Sequence, residues 1–348
     1  MFRQGIRKMN KKNINLTASE IGTLWTEYMN NSMSKQILGF MLQHIKDGEI
    51  KPIIRKAYNH SAHREQALIS IFKNEQYATP IGFADQDVNM DAPRLFTDTF
   101  CLTYANHMAR VGMIVYSGFL AVSYRKDIIN HFSDGLEDIT KLYKESLSTS
   151  LQKGINPRHP HIEVPKETEF IESKNYYSGL SPFNEKRPLN AVEISHLYLN
   201  IMTNSLGFKL CLAFAQTTHS KEVQDFMLRA KEISQKHNKL FSDTLMKDDI
   251  ESPHIPDVVI TDSTTQTFTD KLMMFHISLL MSAGMGNYAT AAAASQRNDL
   301  ALNYERLSLE VSRLAKSGAD IMIKNNYLEQ PPGTTNREKL AKENQEKS

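Results

Sequence analysis

Four residues placed near the middle of four helical stretches in the first half of the chain have counterparts of matching type in the second. They are Asn31, His63, Gly112 and Asp138, then Asn204, His237, Gly284 and Glu310. Helices rise ~1.5 Å per residue, so mid-helix positions meet at one depth of a bundle. In such a layer a carboxylate could orient and charge an imidazole, while the Asn donates to or accepts from the pair. Glycine on the third helix would leave room for water, an ion or a ligand. Three uses fit this set. One is a satisfied polar layer that fixes helix register. Another is a divalent metal site (Fe, Mn or Zn), which needs water or a neighbour such as Tyr116 or Tyr288 to complete its ligands. The third is a sheltered organic ligand.

Paired metals in crossover four-helix bundles use Glu from two helices and Glu-x-x-His from the other two. The chain has one Glu-x-x-His, Glu193-Ile-Ser-His196, at a helix start where Glu193 already suits a capping role; its counterpart, Glu20-Ile-Gly-Thr23, lacks the histidine. The diiron pattern is not met. Glu193 and His196 remain weaker metal candidates, as does His276, expected near the opposite end of its helix. His60 and His63 share a helical face, and His107 precedes Arg110. The methionines, Met273, Met274, Met281 and Met285 among them, read as core packing. No Gly-rich phosphate loop, nucleophile elbow or Cys-x-x-Cys appears, so no catalytic residue is assigned and the reading leans away from an enzyme.

The elements that must position these residues are set by an internal repeat. Leu16-Thr-Ala-Ser-Glu20-Ile21 recurs as Leu189-Asn-Ala-Val-Glu193-Ile194, and Leu95-Phe-Thr-Asp98 as Thr267-Phe-Thr-Asp270. Apolar residues step by three and four, as in Ile21, Leu24, Trp25 and Tyr28. This period predicts helices at about 18–46, 49–75, 94–124, 127–152, 191–219, 221–247, 269–296 and 299–326. Thr17-x-x-Glu20 and Asn190-x-x-Glu193 have capping-box spacing. Short connections make hairpins of helices 1–2 and 3–4 in each copy. Gln76 to Pro93 and Asp249 to Phe268 are long enough to run back along a helix of about 40 Å. The expected fold is all-α: two tandem ferritin-like four-helix bundles, each with a long crossover between helices 2 and 3. An N-terminal extension (1–15), first bundle (16–155), Pro-rich linker (156–188), second bundle (189–328) and mobile tail (329–348) complete the expected organisation.

Composition narrows the partners. Lys+Arg number 41 against Asp+Glu 39, with no basic run interleaved with aromatics, so nucleic acid is not an expected partner. Cys101 and Cys211 lie in apolar helical stretches of different halves, which suits reduced, buried thiols and a cytoplasmic setting. Residues 1–12 lack the apolar core of a secretory signal. Leu272 to Gln296 carries no formal charge, yet His276, Asn287, Gln296 and two glycines argue for a buried helix and against a transmembrane span.

Several phrases carry a family likeness: Leu189-Asn-Ala-Val-Glu-Ile-Ser-His196, Phe268-Thr-Asp-Lys-Leu-Met-Met-Phe-His276, Gly284-Met-Gly-Asn-Tyr288 and Ala319-Asp-Ile-Met-Ile-Lys-Asn325. With Ala92 to Asp98 and His107-Met108, they resemble a family of unknown function from spore-forming bacilli (domain-of-unknown-function family 3231). That family is similar to tandem ferritin-like domains and, distantly, to coat-F-type spore coat proteins. The resemblance implies the fold and a sporulation or spore-associated context, and supplies no activity or assigned residues. Two expectations follow: a non-enzymatic structural or interaction protein with a protein partner or self-association, and a metal-binding, redox-active ferritin-like protein using the mid-bundle layer.

Overall fold

In the computed structural model, residues 14–156, 158–180, 186–253 and 259–345 are described. The N-terminal extension expected over 1–15 falls, but for its last two residues, outside them.

Among the described residues eight long helices form two bundles: α1 (Ala18–His44), α2 (Ile50–Asn74), α3 (Asp98–Ala121) and α4 (Lys126–Gln152), then α5 (Ala191–Thr217), α6 (Lys221–Met246), α7 (Asp270–Ala294) and α8 (Asn298–Lys324). A short helix, α9 (Arg337–Gln345), exposed over residues 337–342, lies in the segment expected to be a mobile tail. Both capping boxes form, and the glutamate of each does a second job. Glu20 Oε1 accepts from the backbone N–H of Tyr124 (3.0 Å) and Arg125 (2.8 Å); Glu193 Oε1 accepts from Gln296 (3.1 Å) and Arg297 (2.9 Å). The start of helix 1 is thereby fixed to the helix 3–4 turn in each copy. At the other end, Asp98 at the start of α3 accepts from the backbone of Lys46 and Asp47, just past α1. Arg125 at the start of α4 pairs with Glu75, just past α2 (2.7 Å). α1 and α3 are therefore antiparallel, and so are α2 and α4, which is the up-down-down-up order that a long crossover requires.

The crossovers do not merely return the chain. They pair with each other as antiparallel bridges, Val88 with Phe268 and Phe96 with Ile260. The backbone bonds come in reciprocal pairs. Thr97 N–H donates to Val259 O (3.1 Å) as Thr269 N–H donates to Asp87 O (3.0 Å), and Asn89 N–H donates to Thr267 O (2.8 Å) as Thr261 N–H donates to Leu95 O (2.9 Å). Each partner lies 172 positions from its counterpart. The two copies thus meet across a pseudo-twofold axis, the isologous geometry of a symmetric dimer built within one chain. Their apolar cores are continuous, with the Phe268 ring 5.5 Å from Phe40 and 6.0 Å from Phe214. Among the described residues no helix is long and apolar enough to cross a membrane.

Candidate functional site

In the second bundle the expected layer assembles. Asn204 Nδ2 lies 2.8 Å from the Tyr288 hydroxyl, that hydroxyl 2.9 Å from His237 Nδ1, and His237 Nε2 3.1 Å from Glu310 Oε2. Burial holds His237 below its ordinary pKa, outweighing the Glu310 carboxylate that favours the charged form. The ring is then neutral. With Nε2–H donating to Glu310, Nδ1 accepts the Tyr288 proton, and Tyr288 accepts from Asn204. Glu310 stays partly exposed and also binds Lys236 (2.8 Å). Gly284 has open space where a side chain would start, and the cavity beside it measures about 60 Å³.

The first bundle is built differently. Asn31 is buried and donates to the Tyr116 hydroxyl (3.3 Å), but His63 is exposed and Asp138 is an exposed partner of Lys141 (3.7 Å). The reason is register. Ile50, Ile53, Ile54, Ala57, Leu68 and Phe72 of α2 match the buried Val223, Phe226, Met227, Ala230, Phe241 and Leu245 of α6 at a spacing of 173. At that spacing Arg64, not His63, is the counterpart of His237. A one-residue slip on a helix turns the side chain by ~100°, enough to move it from core to solvent.

Arg64 sits at the centre of a charged cluster. Its Nε donates to Glu27 Oε1 (2.9 Å) and its Nη2 to the His131 carbonyl (2.8 Å). His131 Nε2 meets Glu27 Oε2 at 2.6 Å, and the Tyr116 hydroxyl donates to Glu27 Oε1 at 2.9 Å. Glu27 and Arg64 side chains are only 2 % and 4 % exposed. Burial pushes the Glu27 carboxyl up, but the bonds and charges of His131 and Arg64 outweigh it and hold it below the usual range. His60, 3.4 Å from Tyr116, is pushed down to about 4 by burial and by Arg64. A cavity of about 90 Å³ adjoins Glu27, Asn31, His60 and Tyr116, large enough for several waters. Gly112 borders it but is itself filled against, since a Cβ there would lie 2.8 Å from Ile139 Cγ1.

Glu27, Arg64 and His131 were not singled out from the sequence. Their signal is position: Glu27 lies between Leu24 and Asn31, Arg64 four before Leu68, and His131 between Ile128 and Gly135, each at core-facing spacing. Their counterparts are Asn200, His237 and Asn303. The Asn–Tyr bond is common to both bundles; the buried Glu27–Arg64 pair belongs to the first, since its counterparts are Asn200 and His237.

The weaker metal candidates are not brought together. Glu193 is occupied by Arg187 (2.7 Å) and the capped backbone, His196 is half-buried, and His276 is fully buried at the bundle interface, 2.9 Å from the Tyr104 hydroxyl. Among the described residues no group of three or more His, Cys, Asp and Glu is placed to hold a metal ion. Cys101 and Cys211 are free and buried; burial pushes the Cys211 thiol up to about 12.

A model for a family described as protein of unknown function (DUF3231) matches residues 4–168 and again 177–340. The chain belongs to this family. Each DUF3231 unit covers one bundle, and the charged cluster is present in the first unit alone. A structure from Bacillus halodurans C-125, named "putative spore coat protein", is similar to part of the DUF3231 chain at 16 % identity and a TM-score of 0.41; the match covers 43 % of this chain and 98 % of that one. No curated protein matches it.

Proposed function

We propose that the protein is a non-enzymatic structural or interaction protein that presents its two bundles to a protein partner, or to further copies of itself, as one fixed body. The reciprocal pairing of the crossovers supports this reading, because it spends backbone donors and acceptors on holding the repeats in a single relative orientation. The polar groups inside the bundles are consistent with it: Glu27 accepts from Tyr116, Arg64 and His131 together, leaving a closed network where a reactive group would need a free one. A sporulation or spore-coat context belongs to the proposal through the family resemblance, and an intracellular location through the free, buried Cys101 and Cys211.

A second reading is favoured by one cluster. His237 stands between Tyr288, 2.9 Å from its Nδ1, and Glu310, 3.1 Å from its Nε2, beside the open space at Gly284, so a divalent cation on one ring nitrogen could use the neighbouring oxygen with water. Elemental analysis of protein purified without a metal-affinity tag, beside a His237→Ala variant, separates the two. The structural reading expects trace metal, unchanged by the substitution. Metal near one equivalent per chain, lost in the variant, would overturn it and make oxidase assays the next step.

A further inference from the structure

Among the described residues, buried or half-buried arginines have carboxylate partners, with one exception. Arg64 pairs with Glu27, Arg94 with Asp98, Arg125 with Glu75, Arg187 with Glu193 and Arg297 with Asp299. Arg110, on α3 at the junction of the bundles, has none among the described residues. Its Nη2 meets His107 Nδ1 (2.9 Å) and the Thr203 hydroxyl (3.3 Å), both neutral. A guanidinium carries five N–H donors, and burying one without a counter-charge is costly. Burial does depress the Arg110 pKa, with only Tyr143 nearby acting against it. His107 is 5 % exposed and held far below its ordinary pKa by burial, so it accepts from Arg110 at Nδ1; its Nε2 has no partner.

Arg110 faces a cavity of about 250 Å³ enclosed by α3, α4, α5 and the start of the linker. Arg158 and His159 contribute to the same wall, and among the described residues no Asp or Glu does. The linker residues are held in place there. The Tyr198 hydroxyl donates to the Arg158 carbonyl (2.9 Å), the Tyr198 and His159 rings lie 4.6 Å apart, and Asn156 donates to Asn106 (3.4 Å). The carboxylate of exposed Glu251 acts on the Tyr198 phenol without lining the cavity. Leu147, Met202 and Leu206 supply an apolar side. The wall thus combines the Arg110 guanidinium, the exposed Arg158 on a backbone held by Tyr198, spare donors and a greasy flank, in a place a ligand can enter.

We propose that this inter-bundle cavity binds a small oxyanion on an apolar body, a carboxylate or phosphate monoester, held by Arg110 and Arg158 with its carbon skeleton against Leu147, Met202 and Leu206. The ligand touches both bundles and the linker at once. Binding here is independent of the His237 cluster.

The test is calorimetric titration of the full chain, at constant ionic strength, with benzoate, phenyl phosphate, inorganic phosphate and neutral benzamide. Saturable binding of benzoate or phenyl phosphate at one site is expected, with Arg110→Met weakening it on the order of tenfold or more and Arg158→Gln several-fold. Tighter benzoate identifies the carboxylate source and tighter phenyl phosphate the phosphoryl source; both support the site. Absence of binding by either, equal binding of benzamide, inorganic phosphate as tight as phenyl phosphate, or affinity unchanged in both arginine variants would overturn it. Arg158 lies on the exposed linker, so its variant keeps the test decisive if Arg110→Met does not fold.

Discussion

The Tyr104 hydroxyl and His276 Nε2 are 2.9 Å apart, and the two residues are counterparts, 172 positions apart, that meet across the pseudo-twofold axis. His276 is fully buried and its Nδ1 has no partner, so Tyr104 provides its one hydrogen bond. Tyr104→Phe leaves that ring wholly unsatisfied. The expected cost is ~1–3 kcal/mol of unfolding free energy, measured by urea denaturation. A change below a few tenths would mean that the bond holds nothing together.

The same histidine makes stability depend on pH. Burial pushes His276 down to about 3, while the unfolded chain protonates near 6.5. Between those values the unfolded state holds the extra proton. Stability is therefore full above about pH 6.5 and is lost as pH falls toward 3, at about 1.4 kcal/mol per pH unit for one such group. His60, pushed down to about 4, adds to the loss in the same direction. Denaturant titrations at pH 7, 6 and 5 should show a shallower slope for His276→Gln than for the natural chain; equal slopes would remove His276 from the account.

Removing Glu27 strands the Arg64 charge in the core. Glu27→Ala is expected to cost ~3–5 kcal/mol, and Glu27→Leu combined with Arg64→Met considerably less than that, since the pair's absence leaves no buried charge behind. Guanidinium chloride unfolding of the three proteins decides it. A double variant as unstable as Glu27→Ala would show that packing, and not the stranded charge, sets the cost.

Two glycines should respond oppositely to alanine. A Cβ at Gly135 would lie 2.6 Å from Tyr116 Cε1, inside the ring that holds the first cluster, and the expected penalty is ~1–3 kcal/mol. Gly284 has nothing within 4 Å of that position in the middle of α7, so Gly284→Ala should stabilise by up to about 1 kcal/mol through helix propensity. Thermal melts of both variants, shifting the same way, would contradict this placement of space in the two bundles.

The crossover pairing predicts that the linker is dispensable for holding the bundles together. A protease site placed among the exposed residues 163–169, cut after folding, should leave both halves co-eluting on gel filtration. Halves that separate at micromolar concentration would mean that the tether, not the interface, joins them.

Helices, caps and the fused bundles were legible because their signals are local: a three-to-four-residue apolar step, and the Thr17/Glu20 and Asn190/Glu193 spacings. The second-bundle layer was legible too, since Asn204, His237 and Glu310 have the right types at one depth. His63 was misplaced because matching residue type overrode matching register by one position, which only the burial of α2 and α6 resolves. Glu27, Arg64 and His131 stand at core-facing spacing, but their residue types are those of surface charges, and only the convergence of three helices shows that they partner one another. The crossover bridges carry no strand alternation to find, as two isolated pairings in loops need none.

Two identical chains meeting about an axis must change every position twice, and a residue on that axis can only face itself. Tyrosine would meet tyrosine there, or histidine histidine. With both halves encoded once in a single chain, a hydroxyl can stand opposite a ring nitrogen at Tyr104 and His276, and one interior can take on Glu27, Arg64 and His131 while the other keeps Asn200, His237 and Asn303. Fusion turns a symmetric pair into one whose halves can be assigned different work.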